Sequence, residues 1–133
     1  MFNKYGYSDD VYIGEDLVGG DGDFTDASKW TMSSANISVD NGSLQSIASG
    51  TKWAINLRTV SYTTSDKVCI EFTITEGSGT VGILEQTNNI VLTAANYDIG
   101  THTVTFTPSR NGTQIRIYTT SGIFRLDNFI IDY

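Results

Sequence analysis

Apolar and polar residues alternate with a period of two along most of the chain, the pattern of strands with one buried and one solvated face. KVCIEFTI places Val68, Ile70, Phe72 and Ile74 on one face and Lys67, Cys69, Glu71 and Thr73 on the other. GTHTVTFTP sets His102, Val104 and Phe106 inward against a row of threonines. In TKWAINLRTV, Trp53, Ile55 and Leu57 are expected to face the core, with Lys52, Asn56 and Arg58 outward. TQIRIYT sets Ile115 and Ile117 inward against Gln114, Arg116 and Tyr118. The runs DLV, WTMS, ISV, SLQSIA, VGILEQ, IVLTA and GIFRLDNFIID add further strands. Asn-Gly in VDNGSL and SRNGTQ predicts tight hairpins, and EGSGT and TSGIF predict glycine turns. One helical turn is expected around TDASKW. About ten short strands with no helices between them predict an all-β fold, an antiparallel β-sandwich of jelly-roll type. That domain covers residues 15–133, and residues 1–14, which are Tyr- and Asp-rich without alternation, form an N-terminal arm.

At 133 residues the chain suits one domain with one core. Its net charge of −7 repels a phosphate backbone, and Lys and Arg are scattered singly, so nucleic acid is not an expected partner. No apolar stretch of about 20 residues is present to span a membrane. The start, MFNKYGYSDDVYIG, does not read as a signal peptide, so the chain is expected to stay where it is made unless an assembly carries it out. The single Cys69 makes no internal disulfide, in keeping with folding in a reducing compartment.

The densest cluster of turn formers and acids is VGGDGDFTDASKW, residues 18–30. It fails as an EF-hand loop, because a loop starting at Asp21 has Asp26 where glycine is required and Met32 where glutamate is required. It fails as a phosphate cradle for want of the third glycine and the lysine. Glycines for a sharp turn and aspartates for solvation remain as its reading. Catalytic devices are also poorly served. Any Ser-His-Asp or Cys-His arrangement must use His102, which the alternation points inward, and one histidine with one cysteine excludes a zinc cluster. Glu71 and Glu85 are candidate paired carboxylates, with solvation as their default role.

LVGGDGDFTDASKWT, followed by NGSLQ, GTHTVTFTP and IFRLDNFII, resembles the jelly-roll carbohydrate-binding modules of the galactose-binding-like class over about residues 15–132. The resemblance implies that Asp21–Phe24 turns the first strand into the sandwich while Trp30 fills the core. It also implies a structural calcium joining Asp23 of the opening loop to Asp127 near the end, although Thr25 stands where the family usually has an acid. No other cofactor is expected. Sugar sites stack a ring on an aromatic and fix hydroxyls with planar polar groups, which makes Arg58, Arg116, Tyr118, Asn56 and Glu71, all expected to face outward, the candidate glycan set.

Two classes of function fit these readings. A non-catalytic virion accessory module, such as a bacteriophage capsid decoration, fibre or tail protein, would be made in the host cytoplasm and leave it by assembly. It would dock on other virion proteins through the arm, with Phe2, Tyr5, Tyr7, Tyr12 and Ile13 as anchors, within a multi-subunit assembly, and could carry affinity for a surface glycan. The alternative is a freestanding carbohydrate-binding module. No catalytic residues are assigned under either reading.

Overall fold

The computed structural model describes residues 16–133, so the expected arm and its anchors Phe2, Tyr5, Tyr7, Tyr12 and Ile13 lie outside the described residues. Two short 3₁₀ turns, Asp21–Asp23 and Ala27–Lys29, precede the strands. The strands are β1 (Trp30–Met32), β2 (Ile37–Asp40), β3 (Ser43–Ser46), β4 (Lys52–Asn56), β5 (Val68–Leu84), β6 (Ile90–Tyr97), β7 (Gly100–Phe106), β8 (Arg116–Thr119) and β9 (Gly122–Asp132). The fold is all-β and every strand pairing in it is antiparallel.

β5 is the spine. Along one edge β7 pairs with Val68–Ile74 and β6 with Gly79–Leu84, so the two run end to end. Along the other edge β9 pairs between Cys69 and Gly79, and β8 pairs with Gly82–Leu84. All three long paths bend or break at one level: β5 bends where Gly77 takes φ +72, the second breaks between Tyr97 and Gly100, and the third between Thr119 and Gly122. On one side of that break the order is β7-β5-β9-β3-β2, and on the other β6-β5-β8-β4-β1. Contacts of β2 with β4 and β1 bring the far ends together, so the sheet is nearly closed around one core.

The core draws on both sides: Ile70, Phe72, Ile74, Leu126, Phe129 and Ile131 from one, Ala54, Val81, Ile83 and Ile117 from the other. The alternation in KVCIEFTI and TQIRIYT therefore has the expected phase. The Asn41-Gly42 hairpin also forms as expected, with φ +51 and +74 at the two residues, the left-handed pair of a two-residue turn.

Four expectations are corrected. DLV is a turn rather than a strand, because Asp16 accepts hydrogen bonds from the amides of Val18 and Gly20 and so curls the backbone. EGSGT bends a continuous strand instead of ending one, which makes β5 a single run of 17 residues. The second Asn-Gly, at Asn111, closes no hairpin, since β7 and β8 each pair with β5, and Gly112 bridges Tyr62 instead. In β4 the period is right and the phase inverted: Lys52, Ala54 and Asn56 are buried, whereas Trp53 and Ile55 lie on the outer face and Leu57 is exposed.

Candidate functional site

The inverted phase of β4 has a chemical cause. Lys52 is buried with Nζ donating to the carbonyls of Ala48 and Gly50, and Asn56 is buried with Nδ2 donating to Asp21 Oδ2 at 3.1 Å. Partners of this kind make an inward polar residue tolerable.

Asp21 is the hub of the opening turn. Its carboxylate also receives Arg58 Nε at 3.0 Å, and its carbonyl accepts the Trp30 indole N–H at 3.0 Å. Gly22 lies so close to β9 that a Cβ there would sit 1.9 Å from the Phe129 carbonyl oxygen. The VGGDGDF stretch thus clamps β1, β4 and β9 together, with Phe24 packed on Trp30 at a ring separation of 5.1 Å. Two members of the expected glycan set, Asn56 and Arg58, are consumed by this clamp. Asn56 is corrected from an outward to a buried residue.

Asp23 and Asp127 are brought near each other. Burial raises the Asp127 carboxyl above its ordinary range; the Asn128 amide hydrogen bond works against this, and the neighbouring Asp23 charge adds to it. Asp23 Oδ1 already accepts both the amide and the hydroxyl of Thr25. No group of three or more His, Cys, Asp or Glu side chains placed to hold a metal ion occurs among the described residues. Two carboxylates, one of them engaged by Thr25, do not amount to a calcium site by themselves.

Glu71 stands apart from the rest of the expected set. It lies on the β7 side of the break, where its carboxylate accepts from Thr103 at 3.4 Å, while Arg116 and Tyr118 lie on the β6 side. His102 is half-buried at the rim, with Nε2 2.7 Å from the Asp98 carbonyl and its ring beside Tyr97 and Phe72. It has no nucleophile beside it in these contacts.

Of what remains of the set, Tyr118 lines an open groove of about 460 Å³ on the outer face of β4, β8, β5 and β6, and Arg116 is bonded to Asn88 of its lining. Its apolar lining comes from Trp53, Leu84, Ile90, Ala94 and Tyr118, and its polar lining from Thr51, Asn88, Thr93 and Thr120. Trp53 and Tyr118 are directly opposed across the β4–β8 ladder. Tyr118 is only 5% exposed because its ring lies over Gly82, where a Cβ would come within 2.4 Å of it. Its hydroxyl accepts the Ala94 amide at 2.9 Å, which ties the floor of the groove to β6. Arg116 is fixed beside the groove by Gln114 Oε1 at 2.9 Å and by Asn88 Oδ1. None of the three ion pairs among the described residues involves Arg116.

Sequence reasoning named Tyr118 and Arg116 but set Trp53 in the core, because a large aromatic in an alternating run outweighs a neighbouring alanine. The available signal was Ala54, which is buried with no exposure.

No family model and no curated protein matches the chain. Among solved structures it is similar to the enzymatically active domain of tailspike protein 4 of bacteriophage CBA120, at 15% identity and a TM-score of 0.43, over 84% of this chain and 20% of that one. The chain therefore spans about a fifth of the length of that tailspike domain.

Proposed function

We propose that the chain is a non-catalytic binding module that holds a glycan in the groove between Trp53, Tyr118 and the β5–β6 turn, in the setting of a virion accessory protein of fibre or tail type. The observation that supports the binding reading is the groove itself. Its volume falls within the range of about 300–1,000 Å³ typical of small-ligand sites, and its lining joins Trp53, over a floor that includes the buried Tyr118, to Thr51, Thr93, Thr120 and Asn88. Aromatic faces take the apolar face of a pyranose, and hydroxyl and amide groups take its equatorial oxygens. The Tyr118 ring, pinned at both Gly82 and Ala94, needs little further ordering on binding. The virion setting rests on the sequence reading alone.

A glycan array probed with wild-type protein and with Trp53→Ala tests the binding reading. Wild-type signal on a limited set of glycans, reduced at least tenfold by Trp53→Ala at unchanged melting temperature, is the expected result. Equal signals from the two proteins, or no wild-type signal, would overturn it.

A further inference from the structure

Among the described residues β7 pairs with β5 and with no other strand. Its second edge therefore presents main-chain N–H and C=O groups that have no strand partner among the described residues. Such an edge templates pairing with another strand unless lysines, prolines, bulges or a covering loop protect it. GTHTVTF has no lysine, no proline and no carboxylate. Its register with β5 runs unbroken from Ile74↔Gly100 to Val68↔Phe106, so no bulge twists the edge away. Thr101, Thr103 and Thr105 are exposed along it, and Thr, Val and Phe are all strand formers. Ile99, just before it, is 67% exposed.

We propose that β7 is a dimerisation edge that pairs antiparallel with β7 of a second copy of this chain, continuing the sheet across a two-fold axis perpendicular to it. That symmetry restricts the register. The axis keeps each residue on the same face of the sheet in both copies, so only residues separated by an even number of positions oppose each other. Threonines then meet threonines, and His102, Val104 and Phe106 meet one another. Opposed threonines already bond in this sheet, with Thr73 Oγ1 2.9 Å from Thr101 Oγ1. Charge within β7 does not oppose the identical partner at this place. Two copies each carrying −7 repel over most of their surfaces, whereas β7 itself carries no formal charge and Glu71 of the neighbouring β5 accepts a hydrogen bond from Thr103.

The test is the solution mass of wild-type protein and of Thr103→Lys/Thr105→Lys over a concentration series, with amide exchange as a second readout that needs no mutation. Both lysines replace exposed threonines, and together they oppose like charges across the axis. The expected result is a wild-type mass approaching twice 14.5 kDa with rising concentration, a variant that stays at 14.5 kDa with an unchanged melting temperature, and slower exchange at residues 101–105 as wild-type concentration rises. A wild-type protein that is monomeric throughout, a dimer that survives in the variant, or exchange in β7 that does not respond to concentration would each overturn the proposal.

Discussion

Replacing Asp21 with alanine is the sharpest test of the clamp formed by the opening turn. The substitution removes one carboxylate that serves two donors of different environment. Asn56 Nδ2 is on a residue 1% exposed and is left with only the Lys29 carbonyl at 3.5 Å. Stranding a buried donor costs about 1–3 kcal/mol. The Arg58 side chain is 47% exposed, so losing that ion pair is worth about 0–1 kcal/mol after screening. The Trp30 indole keeps its bond to the Asp21 carbonyl, which the substitution spares. The expected loss is about 2 kcal/mol, which for a domain of this size lowers the melting temperature by roughly 8 °C. Chemical denaturation of Asp21→Ala beside Arg58→Ala separates the contributions, since Arg58→Ala should cost under about 1 kcal/mol. In a double-mutant cycle, Asp21→Ala and Asn56→Ala should couple by about 1 kcal/mol. If Arg58→Ala costs as much as Asp21→Ala, or if the cycle shows no coupling, the turn is held by something other than the buried amide.

Three further outcomes follow from the same contacts. Gly22→Ala should destabilise more than Asp21→Ala, by about 3 kcal/mol or more, because the added Cβ collides with main chain rather than with a movable side chain; a melting temperature within a few degrees of wild type would show that β9 does not hold that glycine. At the β5–β6 turn, burial raises the Glu85 carboxyl but hydrogen bonds from Thr87 and Asn89 outweigh it, leaving the group below its ordinary 4.5. A lowered folded value means its stabilisation is present above pH 4.5 and lost as pH falls through the folded value. The stability gap between wild type and Glu85→Gln, about 1 kcal/mol at neutral pH, should therefore close on acidification, and a constant gap would contradict the assignment. On the reading that residues 1–14 are a docking arm within a virion assembly, deleting residues 2–12 should leave a folded, soluble domain that no longer joins that assembly; co-assembly at wild-type occupancy would show that the arm is not the anchor.

Much of the fold was legible because period-two alternation reports burial directly. Val68, Ile70, Phe72 and Ile74 needed only a hydrophobic interior to be placed correctly. Failures cluster where a polar contact overrides hydropathy. Lys52 and Asn56 face inward because carbonyls of residues 48 and 50 and the carboxylate of Asp21 await them. Asp21 lies 35 positions from Asn56, so no local window contains the cause. The bend at Gly77 misled for a different reason, since one glycine in the left-handed region ends a strand in a hairpin but only turns it where the β9 edge stays paired through it. For the candidate site, Tyr118 and Arg116 were legible as outward residues of an alternating run. Their joining with Trp53 required the phase of β4 and the β4–β8 register, neither of which the local pattern carries.

The central claim is that the outer face of β4, β8, β5 and β6 is the binding face. Amide and indole chemical-shift mapping during titration with the best array glycan tests it most directly. The account predicts shifts concentrated at the Trp53 indole, Asn88, Thr93, Ala94, Tyr118 and Thr120, with Asp21, Glu71 and Thr103 unmoved. Shifts centred instead on the Asp21 turn, or on the Glu71 and Thr103 face of β5 and β7, would contradict it.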